Sequence, residues 1–214
     1  MGIKMANYSK NLNNDENHQI QDSDDRKIVL LMGMGLNGIS AEGWIPPAET
    51  KIQAEEMIED VWTLLQSVDT FIIGRITFQL WEKYWPSRAK DPSSSDFQKK
   101  FSIFTDQIQK IVFSTTLKSV NWQNSRVINA DISTEISRIK KLPGKNIAIV
   151  GGAEIAQTFT KLNLIDDYQL YIHPVIFGPG KSLLGVLNNE RILELIDTRK
   201  FLSGGIRLHF RSIK

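Results

Sequence analysis

Residues 72–86 read IIGRITFQLWEKYWP. The apolar run, opened by Asp69-Thr70-Phe71, stops at Gly74-Arg75, and apolar and aromatic residues at helical spacing follow. A strand that is apolar at every position, rather than at every second one, is built to be buried on both faces. Such a strand followed at once by a helix is the repeating unit of a parallel α/β sheet. The stretch therefore predicts the fold class. It also poses a question of function: Gly74-Arg75 is either punctuation or a place where an anion docks.

The same grammar recurs on both sides of it. Upstream, Ile28–Met32 is a continuous apolar run, and "GLNGISAEGWIPPAE" after it reads as a long loop. Long ordered loops in compact domains are commonly functional. Met57, Val61, Leu64, Leu65 and Val68 then keep helical spacing, with Thr50 as a candidate N-cap. Downstream, "SRAKDPSSSDFQ" is a polar loop, "FQKKFSIFTDQI" a short helix, and "KIVFS" and "SRVINA" two further strands. "STEISRIKKLPG" is a helix started by Ser133 or Thr134, "NIAIV" a strand, and "GGAEIAQTFTKLNLI" a helix. "DDYQLYIHPVIFGPGKSLL" is a sixth strand that runs into a Gly/Pro loop.

The C-terminus changes character. Ile206, Leu208 and Phe210 alternate with Arg207, His209 and Arg211. A period of two predicts a strand with one solvated face, paired with "ILELIDTRKFL" through Ser203-Gly204-Gly205. The expected architecture is a mostly parallel sheet with helices on both faces and an antiparallel hairpin at one edge.

Composition narrows the function classes. With 26 Lys+Arg against 24 Asp+Glu the net charge is +2, which leaves no basic footprint for nucleic acid. The absence of cysteine removes disulfides, thiolate zinc sites and a cysteine nucleophile. No apolar stretch is long enough to span a membrane, and the N-terminus lacks the apolar region of a signal peptide. Residues 1–25 are polar and rich in Asn and Asp, and are expected to form a disordered tail. Residues 26–214 are expected to form one domain, in a cytoplasmic setting, with no nucleic-acid or membrane partner.

A second strand-to-helix junction, "AIVGGAE", matches the first. In a parallel sheet both lie at the carboxyl ends of strands, where α/β proteins bind ligands. Glycine admits close approach, and a helix N-terminus offers unpaired N–H groups to phosphate. Arg75 adds a forked cation and Thr77 a hydroxyl. One such junction alone reads as strand termination beside a solvated arginine. Two in one chain shift the reading to a dinucleotide, although neither is a GxGxxG motif and no P-loop is present. Ser114, Thr115 and Thr116 after a strand are either ribose-phosphate ligands or a capped turn. His18, His173 and His209 share no metal-ligand spacing, and His173 reads first as a strand-end hydrogen bond. Phe78, Trp81 and Trp85 form a stripe that reads as core, whereas Trp44 in the long loop is a candidate pocket-lining, substrate-binding residue. Among the carboxylates Glu42, Glu49, Glu55 and Glu56, one on the pocket side of the first helix would serve as a general acid.

Taken together, "KIVLLMGMGLNGISAEG", "DTFIIGRITFQLWEKYWP", "KIVFSTTLK", "NIAIVGGAEIAQTFTKLNLIDDYQLYIHPVIFGPGKSLL" and the final hairpin resemble the dihydrofolate reductase-like superfamily. The resemblance is strongest to the group related to the reductase domain of bacterial riboflavin biosynthesis, and it covers most of residues 27–214. It implies a three-layer α/β/α fold, bound NADPH and reduction of a small heterocycle of the pterin, pyrimidine or flavin-precursor type. It implies that Gly74, Arg75, Ile76 and Thr77 hold the 2′-phosphate and pyrophosphate region. Ser114 and Thr115 would lie near the adenosine ribose phosphate, and Gly151, Gly152, Ala153 and Glu154 would cradle the pyrophosphate. Gly33, Ile39 and Ser40 would lie by the nicotinamide. It also implies a homodimer. "LNG" stands where many relatives have Leu-Asp-Gly, and the candidates for a proton donor on or near the first helix are Glu49 and Glu55. The alternative function is a non-catalytic dinucleotide-binding or regulatory protein on the same scaffold.

Overall fold

A computed structural model of the chain describes residues 25–41, 51–185, 187 and 190–213. Glu42, Trp44, Glu49 and Thr50 lie outside the described residues, as does all of the expected N-terminal tail but Asp25.

The elements follow in the order β1 (Ile28–Gly35), α1 (Lys51–Leu65), β2 (Val68–Gly74), α2 (Arg75–Arg88), α3 (Asp96–Gln107), β3 (Gln109–Phe113) and β4 (Ser125–Ile128). Then come α4 (Ile132–Lys140), β5 (Asn146–Val150), α5 (Ala153–Lys161), β6 (Asp167–His173), β7 (Leu193–Lys200) and β8 (Ile206–Ser212). The strands form one 8-stranded sheet in the order β4-β3-β2-β5-β1-β6-β8-β7. Every pairing from β4 across to β6 is parallel. β8 runs antiparallel to both β6 and β7, which makes the antiparallel edge.

The apolar runs are buried as continuous runs should be. Phe71, Ile72 and Ile73 of β2 and Ile147–Val150 of β5 are all buried, and alternate residues serve opposite faces. Phe71, Ile73, Ala148 and Val150 pack with Leu65, Phe78 and Phe101 under α1, α2 and α3. Ile72, Ile147 and Ile149 pack with Ile136, Ile139 and Phe159 under α4 and α5. These two cores make the three layers.

The start of α4 differs from the expectation. Asp131, not Ser133 or Thr134, is its N-cap, and its carboxylate accepts from the Thr134 N–H at 2.8 Å. That bond holds the Asp131 carboxyl below the usual range. A carboxylate is the stronger acceptor at a helix's positive end.

The final strand also departs from its pattern. The charged face of β8 is only partly solvated: the side chains of Arg207, His209 and Arg211 are 13%, 18% and 33% exposed. Arg207 pairs with Asp60 of α1 at 3.2 Å and with Asp197 of β7 at 2.6 Å. His209 and Arg211 meet Asp167 of β6. Asp60 is buried and also accepts from the Tyr171 hydroxyl at 2.6 Å and from Arg199 at 2.7 Å. Burial and this bond push the Tyr171 hydroxyl far up from its ordinary range. Acids distant in sequence therefore draw the basic face of the hairpin against α1, something period-two patterning has no means of signalling.

Candidate functional site

The helices α2 to α5 divide into two kinds at their N-termini. α3 carries a full capping box, in which the Ser95 hydroxyl accepts from Gln98 N–H and the Gln98 side chain accepts from Ser95 N–H. α4 is capped by Asp131. The N-caps of α2 and α5 are Gly74 and Gly152, and neither end has a side-chain cap. Their leading N–H groups are left for another partner.

Those two ends meet. β2 and β5 are neighbours, with Ile73 opposite Val150, so the Gly74 and Gly151 positions adjoin at the carboxyl edge of the sheet. α2 then leaves to one face and α5 to the other. Adjacent parallel strands whose helices part to opposite faces create the crevice in which α/β proteins bind ligands. A cleft of about 100 Å³ lies there, lined by Gly74, Arg75, Ile76 and Thr77 from one junction and by Gly152, Ala153 and Glu154 from the other.

Lys181, from the Gly/Pro loop after β6, completes the cleft and forms an ion pair with Glu154. That bond, foremost, holds the Glu154 carboxyl below its ordinary range. Arg75 donates to Gln79 Oε1 at 3.1 Å and leaves its guanidinium at the cleft. Lys181 was missed in the sequence. The available signal was a cation in a glycine-rich loop after a strand, at the same sheet edge as the two junctions.

A larger cavity, of about 300 Å³, opens alongside. Thr77 lines both spaces, so they adjoin at its side chain. Gly151 forms part of the cavity wall with φ at +113°, where L side chains are strained, and an added Cβ would sit 3.1 Å from Thr77. Leu31, Met32 and Gly33 of β1 form another part, and Val61 and Leu65 of α1 a third. Phe71, Trp81 and Phe101 give an aromatic wall, with Trp81 and Phe101 edge to face at 5.7 Å. Trp81 thus does more than the core stripe expected of it, whereas Phe78 is fully buried.

The polar groups of the cavity are few. Ser40 Oγ is buried without a hydrogen-bond partner. His173, expected only to close a strand end, lines the cavity. Its Nε2 would lie 2.8 Å from a Cβ placed on Gly33, so the ring rests over β1 where only glycine leaves room. Burial lowers its pKa below 6.5. Among the described lining residues it is the sole titratable side chain. Glu55 is exposed on α1 and does not line the cavity.

Two loops hold Ser40 and Lys181 in place. Ser40 N–H donates to Lys181 carbonyl, and Leu183 N–H to Gly38 carbonyl, each at 2.9 Å. Ile39 bridges to Ser182 and packs where a Cβ on Gly180 would stand. Ile39 therefore supports the wall without facing the cavity. Asn37 clips the same loops: its Nδ2 donates to Phe177 carbonyl at 2.8 Å and its Oδ1 accepts from Phe177 N–H at 3.3 Å. Aspartate has no donor for the first of these bonds.

Ser114 and Thr115 line neither space. Ser114 follows Phe113, the residue paired with Gly74, so it stands at the same sheet edge as the cleft. Its Oγ accepts from Thr116 and Leu117 N–H, the capped turn that was the alternative reading. Among the described residues no cluster of side chains suits a metal ion.

The comparisons agree with this geometry. The RibD C-terminal domain model matches residues 26–206. The uncharacterized protein YyaP of Bacillus subtilis (strain 168) is 34% identical over 183 residues, which is 86% of this chain and 93% of that protein. A pyrimidine reductase-like protein from Corynebacterium diphtheriae superposes with TM-score 0.57 at 16% identity, over 88% of this chain and 92% of the other. Dihydrofolate reductase from Enterococcus faecalis, solved with NADP(H), gives TM-score 0.54 at 12% identity, over 88% and 97%. At those identities the structural likeness is one of fold, a scaffold shared with reductases. With the glycine junctions, the sheet order and the family match in agreement, the chain belongs to the RibD C-terminal domain family and has a dihydrofolate reductase-like fold.

Proposed function

We propose that the protein is an NADPH-dependent reductase of a small unsaturated heterocycle. The observation that carries this reading is the pair of uncapped helix N-termini, Gly74/Arg75 and Gly152/Ala153, opening on one cleft beside a larger apolar cavity.

The residues present fit a dinucleotide. Gly74 and Gly152 expose backbone N–H groups to a diphosphate, and Arg75 and Lys181 supply positive charge. The orphaned Ser40 hydroxyl, in the loop where the nicotinamide is expected, provides a donor or acceptor for a carboxamide. When bound, NADPH supplies a hydride. The chain's own contribution is position and dryness. The helix ends fix the diphosphate, and Thr77 stands where the cleft and the cavity adjoin. Leu31, Val61, Leu65 and the aromatic wall keep water from the reacting face. Arg75 is assigned the choice of NADPH over NADH.

Equilibrium titration with NADPH and NADH tests this directly. Submillimolar NADPH affinity is expected, with Arg75→Ala weakening NADPH more than NADH. No NADPH binding at millimolar concentration would sink the proposal, and equal losses would remove Arg75 from the selection.

A second reading is a dinucleotide-binding protein without turnover, and the observation on its side is that Glu55, a candidate proton donor, is exposed and away from the cavity. Bound NADPH that is never oxidised across a pterin, flavin-precursor and quinone panel would support it over the first.

A further inference from the structure

The cleft holds an acid where the proposed function calls for an anion. Its lining includes two cations, Arg75 and Lys181, and one carboxylate, Glu154. A diphosphate there is drawn by both cations and repelled by the carboxylate. Glu154 stands in the first turn of α5, whose N-cap Gly152 has no side chain to lend, so its carboxylate lies in the same helix-end field that draws a phosphate. Lys181 Nζ donates to Glu154 Oε1. That bond, with Arg75 acting the same way more weakly, holds the carboxyl below its ordinary range, so it is ionised at neutral pH. The backbone N–H of Glu154 suits a phosphate cradle. Its side chain opposes one.

The pair is able to part. The side chain of Lys181 is 63% exposed and that of Glu154 65%, and ion pairs so exposed are weak. The backbone that carries Lys181 is tied down on two sides. Its carbonyl accepts from Ser40 N–H at 2.9 Å, and the next carbonyl, of Ser182, accepts from Gln157 Nε2 of α5 at 2.6 Å. The ammonium therefore changes partner by turning its own side chain, with the loop left in place.

We infer that Glu154 is a built-in stand-in for the ligand's phosphate: its carboxylate occupies Lys181 while the cleft is empty, and Lys181 passes to the anionic ligand when one binds. The exchange selects for charge. A ligand with one negative charge offers Lys181 no more than Glu154 already does, whereas a diphosphate offers more. The inference rests on the reading of the cleft as the diphosphate half of the proposed site, and it names the residue that limits the affinity there.

The test uses the full chain and two probes, inorganic diphosphate without divalent cations and NADPH, each titrated by calorimetry at low and at high salt. Glu154→Gln keeps the shape of the side chain and removes its charge. It should bind both probes about threefold more tightly than wild type at low salt, a gain of the size of one exposed ion pair, and the gain should shrink at high salt. Lys181→Ala should weaken NADPH about tenfold in the wild-type background and about thirtyfold in the Glu154→Gln background, where Lys181 has no competitor. Both side chains are exposed, and urea titration checks that the variants are folded. Equal affinity of wild type and Glu154→Gln for diphosphate overturns the inference, as does an equal Lys181→Ala loss in the two backgrounds. Weaker NADPH binding by Glu154→Gln overturns it too, and makes the carboxylate an acceptor for a ligand hydroxyl. Tighter diphosphate binding by Glu154→Gln, with NADPH bound by neither protein, sinks the cofactor reading and leaves this one standing. NADPH bound equally by both does the converse, and binding of neither probe overturns both.

Discussion

The cleft and the cavity share Thr77 and one edge of the sheet, yet they are made differently. The cleft is chiefly backbone. Two glycines withhold a Cβ and a side-chain cap, and the helix ends do the rest. The cavity is side chains brought in from β1, β2, α1, α2, α3, β5 and β6. A backbone site is written in a few consecutive residues. A side-chain site exists only once the chain has packed. The contrast implies that the two halves tolerate change differently, and substitutions can force them apart.

The largest effect is expected on the cavity side. Trp81→Ala removes the centre of the aromatic wall and should lower unfolding free energy by roughly 3 kcal/mol in urea titrations. NADPH affinity should fall no more than about threefold, because the helix ends are untouched. Gly151→Ala should act chiefly on the cleft, because it strains the backbone one residue before the α5 N-cap. At φ of +113° and 3.1 Å from Thr77, a methyl costs about 2 kcal/mol of stability and weakens NADPH on the order of a hundredfold. Were Trp81→Ala to weaken NADPH as much as Gly151→Ala, the division into backbone and side-chain halves would collapse.

Lys181→Ala sharpens the picture of the cleft. NADPH affinity should drop about tenfold, and its dependence on salt should flatten, since one exposed cation is removed. An unchanged salt slope would show that Lys181 serves only Glu154.

The two halves should also titrate apart. His173 has a depressed pKa in the fold, so between that value and 6.5 the unfolded chain holds more protons. Stability therefore rises with pH through that window and is lost as pH falls below 6.5. Glu154, held down by Lys181, contributes stability above 4.5 that is lost as pH falls through its depressed value, and the pair's exposure keeps the effect small. Unfolding titrations from pH 4 to 7 should show His173→Gln diverging from wild type just below pH 6.5 and Glu154→Gln diverging only below 4.5. The smallest change is Asn37→Asp, which forfeits one exposed bond to Phe177 and should cost under about 1 kcal/mol in the same measurement.

The same contrast explains what could be read in advance. The burial of β2 and β5, the glycine junctions and the parallel order were legible because each rests on local patterning. Arg75 and Thr77 at the cleft followed from them. His173 and Lys181 did not, because a lone histidine or lysine acquires meaning only from what packs around it. The solvated face expected for β8 is only partly solvated for a related reason. Asp60 and Asp167, far away in the chain, pair with Arg207, His209 and Arg211, and alternation carries no trace of such partners. Glu55 shows the converse: a suitable residue type on a suitable helix, yet turned outward.

The place of β1 in the sheet carries one more consequence. It is the first strand in the chain, but it lies between β5 and β6, and its register partners are Ile147–Ile149 on one side and Asp167–His173 on the other. Closing loops of that length is entropically slow, and strands awaiting distant partners expose apolar edges meanwhile. On a ribosome the two helix ends emerge before His173 does. The cavity, which needs β1, β5 and β6 together, is thus a late product of folding, and the backbone half of the site can form while the side-chain half is still being made.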